Sequence, residues 1–484
     1  MLITLVGLYL LVSICIGLYA STKVKNSTDY VVAGRHLPMP FIIATVFATW
    51  FGSETVLGIP SKFLNEGMKG VVADPFGSSM CLIFVGLFFA RPLYRMGLLT
   101  IGDYYRARYN RTIEVSTSIC VVFSYLGWVS AQVTAMGLVF SILSGGALEP
   151  WHGMVIGLAI VLVYTLTGGM MSVAFTDLFQ MTVIMLGMLY IAFVVSGVAG
   201  GAGAVIEHAR LAGKLEFLPK PEIKDIITFV AAWCTMALGS IPQQDVFQRV
   251  AAAKDEKTAG RGSIIGGCLY FCFAFIPMFL AYSAMLVDPD MVAKHLSKDS
   301  QYILPNLILN HSPFFVQVLF FGALISAILS CSAATLLAPS VTFAENVLRG
   351  FFPNLSDWQF LRMLRGVVLV FALGVLAFAL SSTESIYGMV ENAYKITLVA
   401  AFTPLAFGLY WKRATSQGAL LSMVFGIGTW IVLEIVAGGH WFAPQFAGLL
   451  AAIAGMFLGS LAPQVYGLQA HEHTQSHTRH AQST

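Results

Sequence analysis

Thirteen apolar segments fill most of this chain, and they limit it to one environment. They span about 2–20, 39–60, 71–90, 113–144, 152–167, 173–199, 226–248, 262–287, 313–338, 363–381, 385–410, 414–436 and 443–466. A helical membrane crossing takes about 20 apolar residues. Only 11% of the 484 residues are charged, against about 25% in soluble domains. A cytosolic enzyme, a disulfide-rich secreted domain and a disordered chain are all excluded. The stretches are continuous rather than alternating, which excludes a transmembrane β-barrel. A net charge of +3 argues against nucleic acid as a partner. The expected fold is an all-α polytopic membrane protein of about thirteen transmembrane helices.

Basic residues orient the spans. The first segment has no basic residue before it, whereas Lys23 and Lys25 follow it, so it reads as a span rather than a signal peptide. With the N-terminus outside, the inner loops hold eighteen Lys and Arg and the outer loops eight. Lys395 lies inside a span, and 18 + 8 + 1 accounts for all 27. This matches the positive-inside bias, with the weakest point at 200–225, where four basic residues lie outside. The chain is expected in the plasma (inner) membrane with a cytoplasmic C-terminus. The tail 468–484 carries His471, His473, His477 and His480 and reads as solvated and disordered.

Two segments carry breakers near their middles. One runs through Ala48-Thr49-Trp50-Phe51-Gly52-Ser53-Glu54 to Gly58 and Pro60; the other is Leu238-Gly239-Ser240-Ile241-Pro242-Gln243-Gln244-Asp245. Proline and glycine free backbone groups, and inside a bilayer these need a protein-lined or aqueous cavity. Corresponding breaks in two halves of a membrane chain point to a transporter site. The breaks open the second and seventh segments. They divide the chain into an extra helix and loop (1–38), a first five-helix unit (39–199), a second unit (226–410) and two further helices (411–467). Five is odd, so the second unit inserts inverted.

Ionisable residues within spans are functional candidates by default. Glu54 adjoins the first break and is placed to meet a cationic substrate or Lys395. Asp177, Asp245, Glu345, Glu391, Lys395 and Glu434 also fall within or at the ends of spans; Glu345 and Glu434 lie near surfaces. Glu391 and Lys395, four apart, are expected to form an ion pair on one helix face. The ninth segment supplies Ser326, Ser330, Ser332 and Thr335, hydroxyls suited to a hard cation. Trp50, Trp128 and Trp233 offer faces to an organic cation. The seven cysteines (15, 81, 120, 234, 268, 272, 331) read as buried small hydrophobes.

These residues resemble a known family. Gly168-Gly169-Met-Met-Ser-Val-Ala-Phe-Thr176-Asp177-Leu-Phe-Gln180 looks like the signature of the sodium/solute symporter family. Ser326 to Asn346 is similar to its sodium-site helix, and Ala48–Pro60 to its first broken helix. Ala-Thr-Trp at 48–50, Phe-Phe-Ala-Arg-Pro at 88–92, Gly-Ser-Ile-Pro at 239–242, Phe-Gln-Arg-Val at 247–250 and Ile-Leu-Pro at 303–305 look most like its high-affinity choline transporter branch. The resemblance implies a LeuT-type 5+5 inverted repeat, with one helix before the core and two after it. It also implies Na+ as coupling ion, held by the carbonyls of Ala48, Phe51 and Ala327 and by Ser330. Cys331 stands at a position where the family has a hydroxyl, and a thiol is a soft, poor Na+ ligand. Ser332 is placed to compensate. Ala333 and Ala334 replace two hydroxyls of a second sodium site, whose Asp177 persists as a second ion or proton site. Trp50 and Trp128 match positions of the branch's aromatic cage, whereas Gln243 and Ser78 stand where aromatics are usual.

The expected function is Na+-coupled symport of a small zwitterionic or cationic solute by alternating access. Its expected substrate contacts are Trp50, Glu54, Ser78, Trp128, Trp233, Gln243, Glu391 and Lys395. Proton-coupled or Na+-independent transport, or solute sensing without transport, are the alternatives. No nucleophile, metal cluster or spaced acid pair suggests an enzyme. The expected partners are the solute and the lipid bilayer, with the chain a monomer or weak homo-oligomer.

Overall fold

A computed structural model describes residues 1–296, 298–437 and 443–466; the histidine-bearing tail lies outside the described residues. The described elements are helical, with one isolated bridge between Leu37 and Ala253. The helices used below are α1 (Leu2–Ser21), α2 (Met39–Trp50), α3 (Ile59–Glu66), α4 (Ser78–Phe84), α5 (Ile101–Arg108), α6 (Arg111–Leu143) and α7 (Pro150–Val198). They continue with α8 (Ala202–Leu211), α9 (Ile223–Gly239), α10 (Gln244–Ala252), α11 (Glu256–Val287), α12 (Phe314–Thr342), α13 (Asp357–Ser381) and α14 (Ile386–Thr397). Two more, α15 (Ser416–Ala437) and α16 (Pro444–Leu461), close the described chain.

Among the described residues, ten helices are long and apolar enough to cross a membrane, or eleven when α9 and α10 count as one bent span. The expected number of thirteen is reached only by dividing α7 and counting the short α2 with its broken partner. The division of α7 is physical. Gly169 sits at φ 50°, ψ −138°, and a β-carbon there would lie 2.4 Å from Tyr30 O. Tyr164 and Thr176 would lie about 18 Å apart along a straight helix. Yet a β-carbon on Gly17 would sit 3.0 Å from Tyr164 Cβ and 3.5 Å from Thr176 Cγ2. The chain therefore folds back at Gly169, and its two arms match the segments at 152–167 and 173–199.

Exposure sorts the helices into a centre and a perimeter. Every residue of α12 from Phe320 to Thr342 is buried, as are all nine residues of α10. By contrast, α1 and α15 leave large apolar side chains open, such as Leu8, Leu11, Val424 and Ile435. An apolar helix surface left uncovered by protein belongs against lipid. The cysteines divide in the same way: Cys81, Cys234 and Cys331 are buried, while Cys15, Cys268 and Cys272 are exposed on apolar helices.

The basic loop at 200–225 has a structural explanation. Lys214 Nζ donates to Leu64 O (2.7 Å) and Asn65 O (3.0 Å), capping the C-terminal carbonyls of α3, where a cation is favoured. Arg210 pairs with Glu207 at 2.6 Å. Arg249, just past the seventh apolar segment, stands not in a loop but 2% exposed on α10.

Candidate functional site

The two breaks form as the sequence predicts, and they meet. At the first, α2 ends at Trp50 and Phe51 leaves the helical region at φ −82°, ψ 71°. Gly52 N–H turns to Trp50 O (3.0 Å) and Ser53 N–H to Gln132 Oε1 (2.9 Å), so neither reaches the carbonyl four residues back. The Ala48 carbonyl instead lies 3.3 Å from Ser330 Oγ. A π-helical turn, Glu54–Gly58, then leads into α3. At the second break, α9 and α10 are bent by 45° across Ser240 to Gln243.

One stretch of α6 touches both breaks. Trp128 Nε1 and Gln132 Nε2 donate to the Glu54 carboxylate (3.3 and 2.7 Å). Ser124 bonds Gln243, and the Tyr125 hydroxyl donates to Asp245 Oδ1 and accepts from Asp245 N–H. Residues 124 to 132 rise only about 12 Å along a helix. The fourth wall comes from α14. Tyr394 stacks on Trp50 (5.9 Å, 10°) and lies 5.3 Å from Trp128, and a β-carbon on Gly239 would lie 2.6 Å from Tyr394 O.

The oxygen-rich part of the site lies between α2, α7 and α12. Ser330 Oγ donates to Asp177 Oδ1, and Thr45 Oγ1 donates to Asp177 Oδ2 at 2.5 Å. Together with Ala48 O these make one buried cluster of hydroxyl, carboxylate and carbonyl oxygens, the donor set of a hard monovalent or divalent cation. Asp177, expected to mark a separate second site, stands in the same cluster as Ser330. Ala327 is buried one turn before Ser330. Cys331 faces the first break: a β-carbon on Gly52 would lie 2.9 Å from Cys331 Sγ and 2.8 Å from Glu54 Oε2. Only glycine fits between them. Ser332 does not turn in; its hydroxyl donates to Ile328 O at 2.6 Å, on its own helix. Ser326 bonds Tyr9 of α1, and Thr335 bonds Cys331 O.

Several expected substrate residues sit otherwise than anticipated. Among the described residues, Glu391 and Lys395 form no ion pair, and Glu54 has no cationic partner. Glu391 lines a narrow crevice with Glu54, Asp74, Met236, Tyr387 and Val390, whereas Lys395, one turn further on, does not line it. Four-residue spacing does not bring the two charges within ion-pair distance. Trp233 packs edge-on to Phe84 at 6.1 Å, away from the other tryptophans. Gln243 faces Ser124 and Thr397. Ser78 donates to Asp74 Oδ1, which also accepts from Tyr270 OH at 2.5 Å. Glu345 pairs with Arg349 at 2.7 Å, and Glu434 is exposed.

Asp74, Gln132, Tyr270 and Tyr394 were missed by the sequence reading. Asp74 had a signal, an acidic residue inside an apolar segment and next to Pro75. Gln132 stands four residues after Trp128, on the same helix face.

The profile of the "Sodium:solute symporter family" matches residues 30–426. The high affinity choline transporter 1 of Mus musculus is 27% identical over 445 residues, covering 88% of this chain and 75% of that protein. The sodium/proline symporter of Haemophilus influenzae is 27% identical over 503 residues, covering 94% of each. A solved structure of a Na+-coupled sialic acid symporter, in a substrate-bound outward-open state, superposes with a TM-score of 0.82 at 20% identity, over 97% of this chain and 99% of that one.

Proposed function

The chain belongs to the sodium:solute symporter family, and we propose on that premise that the pocket at its two helix breaks takes up Na+ and a small organic solute together. The transport class follows from the family: a LeuT-type, membrane-embedded, Na+-coupled symporter, not an enzyme. Na+ as cargo is held by the Ala48 carbonyl, Ser330 Oγ, Thr45 Oγ1 and the Asp177 carboxylate, with the Phe51 and Ala327 carbonyls nearby. In the closed network the two hydroxyl hydrogens point at Asp177. With the ion bound they turn away and present lone pairs. Because the ligands come from α2, α7 and α12, the ion ties the broken helix to its scaffold. Orientation with the N-terminus outside rests on the eighteen-to-eight distribution of basic residues.

The solute carries a positive centre, as in a cation or zwitterion. The observation behind this is Glu54: 2% exposed, held by Trp128 and Gln132, without a basic partner among the described residues, and beside the stacked rings of Trp50 and Tyr394. Burying an uncompensated carboxylate is costly, and an ammonium group against aromatic faces offsets that cost. Relatives named for choline, proline and sialic acid carry different cargoes on this fold, so local charge sets the choice.

The gradients suffice for accumulation. One charge crossing about 100 mV yields roughly 2.3 kcal/mol, and a tenfold Na+ gradient about 1.4 kcal/mol. Together they support a several-hundred-fold concentration of a zwitterion. Uptake into proteoliposomes, with and without a Na+ gradient, tests the reading using choline, proline, betaine and sialic acid. Na+-driven uptake of a cation or zwitterion is expected; uptake confined to the anion would overturn the assignment of Glu54.

A further inference from the structure

A groove of about 510 Å3 opens on the perimeter of the molecule, away from the central pocket, between α6, the end of α12 and α13. Pro339 and Phe343 form one wall; Gly366, Val370, Phe371 and Gly374 of α13 form the other. A β-carbon on Gly366 or Gly374 would meet nothing within 4 Å, so no protein side chain fills the slot. In a chain that spans a membrane, this surface faces hydrocarbon.

One end of the groove is charged. Trp358, Arg362, Gly366, Val370 and Gly374 follow one another at intervals of four, in a single row along α13. Arg362 therefore stands one turn from Gly366, beyond the end of the groove toward the start of that helix. Its guanidinium lies 3.1 Å from the centre of the Trp358 ring, and among the described residues it has no carboxylate partner. A smaller recess, lined by Arg111, Val347, Gly350 and Phe351, adjoins the groove, since Val347 lines the recess and Leu348 the groove. Arg106, Arg111 and Arg349 face Glu114 and Glu345, and Asn346 joins Asp103 to Glu114, so these six charges balance and Arg362 leaves this end one positive charge in excess. The nearby Asp357 is turned away and accepts from Ser27. Phe351 (75% exposed) and Trp358 (56%) stand at the same end, as aromatic residues do at a membrane–water boundary.

A slot for a hydrocarbon chain that ends in unpaired arginine matches one class of molecule. We propose that this groove holds a single anionic glycerophospholipid, with an acyl chain along Gly366–Gly374 and its headgroup on Arg362 and Arg111. Any lipid can fill the apolar part; the arginines make the choice, because basic pockets at the ends of membrane helices favour anionic headgroups.

The test titrates the purified full chain in detergent with phosphatidylglycerol or phosphatidylcholine of the same acyl chains, reading binding by native mass spectrometry. The wild type is expected to bind phosphatidylglycerol more tightly. Arg362→Gln should lose about fivefold in that preference, the effect of one basic residue at a charged surface, and Arg362→Lys should keep it. Gly366→Leu, whose side chain enters open space, should weaken both lipids alike. Melting curves without added lipid confirm that each variant is folded. Equal binding of the two lipids by the wild type, or an undiminished preference in Arg362→Gln, would overturn the proposal; should that variant be unfolded, unchanged binding in Gly366→Leu overturns it equally.

Discussion

Ser330 on α12 donates its hydroxyl hydrogen to the Asp177 carboxylate on α7, while the same oxygen lies 3.3 Å from the carbonyl of Ala48 on the broken helix. Three elements are thus joined at one hydroxyl. Removing it should weaken Na+ binding while leaving the solute pocket intact. Ser330→Ala is expected to raise the Na+ concentration for half-maximal uptake about tenfold, equivalent to about 1.4 kcal/mol. Asp177→Asn, which removes the charge, should raise it further. Initial uptake rates against Na+ concentration in proteoliposomes measure both, and unchanged Na+ dependence in Ser330→Ala would move the ion elsewhere.

Glu54 presents its carboxylate between Trp128 and Gln132. Glu54→Gln retains the shape and loses the charge. A hydrogen bond to a charged partner contributes about 1.5–3 kcal/mol, so affinity for a solute bearing an ammonium group should fall roughly ten- to a hundredfold. The Na+ titration should shift far less, since the ion's ligands are other residues. Solute binding by calorimetry at saturating Na+ checks this. A variant with full affinity would mean that the cargo makes no charged contact at Glu54.

The sequence made the breaks legible because their chemistry is local. Gly52 and Pro60, and Gly239 and Pro242, cannot continue a helix unperturbed, and polar neighbours mark the gaps as lined. The oxygen cluster was half legible: Ser330 and Ala48 came from the resemblance, but nothing local says that Asp177 and Thr45, 132 residues apart, share a carboxylate with them. Spacing misled at Glu391 and Lys395, where tertiary packing outweighs a helical pair worth only about 0.2–0.5 kcal/mol. Tyr394 sits between those two charges and passed unnoticed, because an aromatic residue in an apolar helix carries no sign of which ring it will stack on.

Tyr394 separates stacking from hydrogen bonding. Its hydroxyl is buried and has no partner among the described residues, while its ring lies parallel to Trp50. Tyr394→Phe should therefore bind solute within about twofold of wild type, since no bond is lost and an unmet buried hydroxyl is removed. Tyr394→Ala removes the wall of the pocket and should cost about 3–5 kcal/mol, as for other buried aromatic truncations. Melting temperature and solute affinity measured together distinguish the variants. A large loss in Tyr394→Phe would show that the hydroxyl contacts the cargo.

Gly169 and Gly197 occupy the same helix, α7, and should respond oppositely to alanine. At Gly169 the backbone has positive φ, and the new methyl group would meet Tyr30 O at 2.4 Å. A positive φ combined with ψ −138° is open essentially to glycine and costs another residue of order 1–3 kcal/mol, and the collision adds to that, because backbone cannot swing aside as a side chain does. At Gly197 φ is ordinary and nothing lies within 4 Å, so alanine should be neutral or stabilise by up to about 1 kcal/mol. The fold-back at Gly169 sets where Asp177 meets Ser330, so its loss should also impair Na+ binding, beyond any effect on melting. Thermal unfolding of the two variants in detergent, with and without Na+, measures this. Gly169→Ala should melt several degrees lower and lose the stabilisation by Na+, whereas Gly197→Ala should retain it; equal behaviour of the two would contradict a reversal at residue 169.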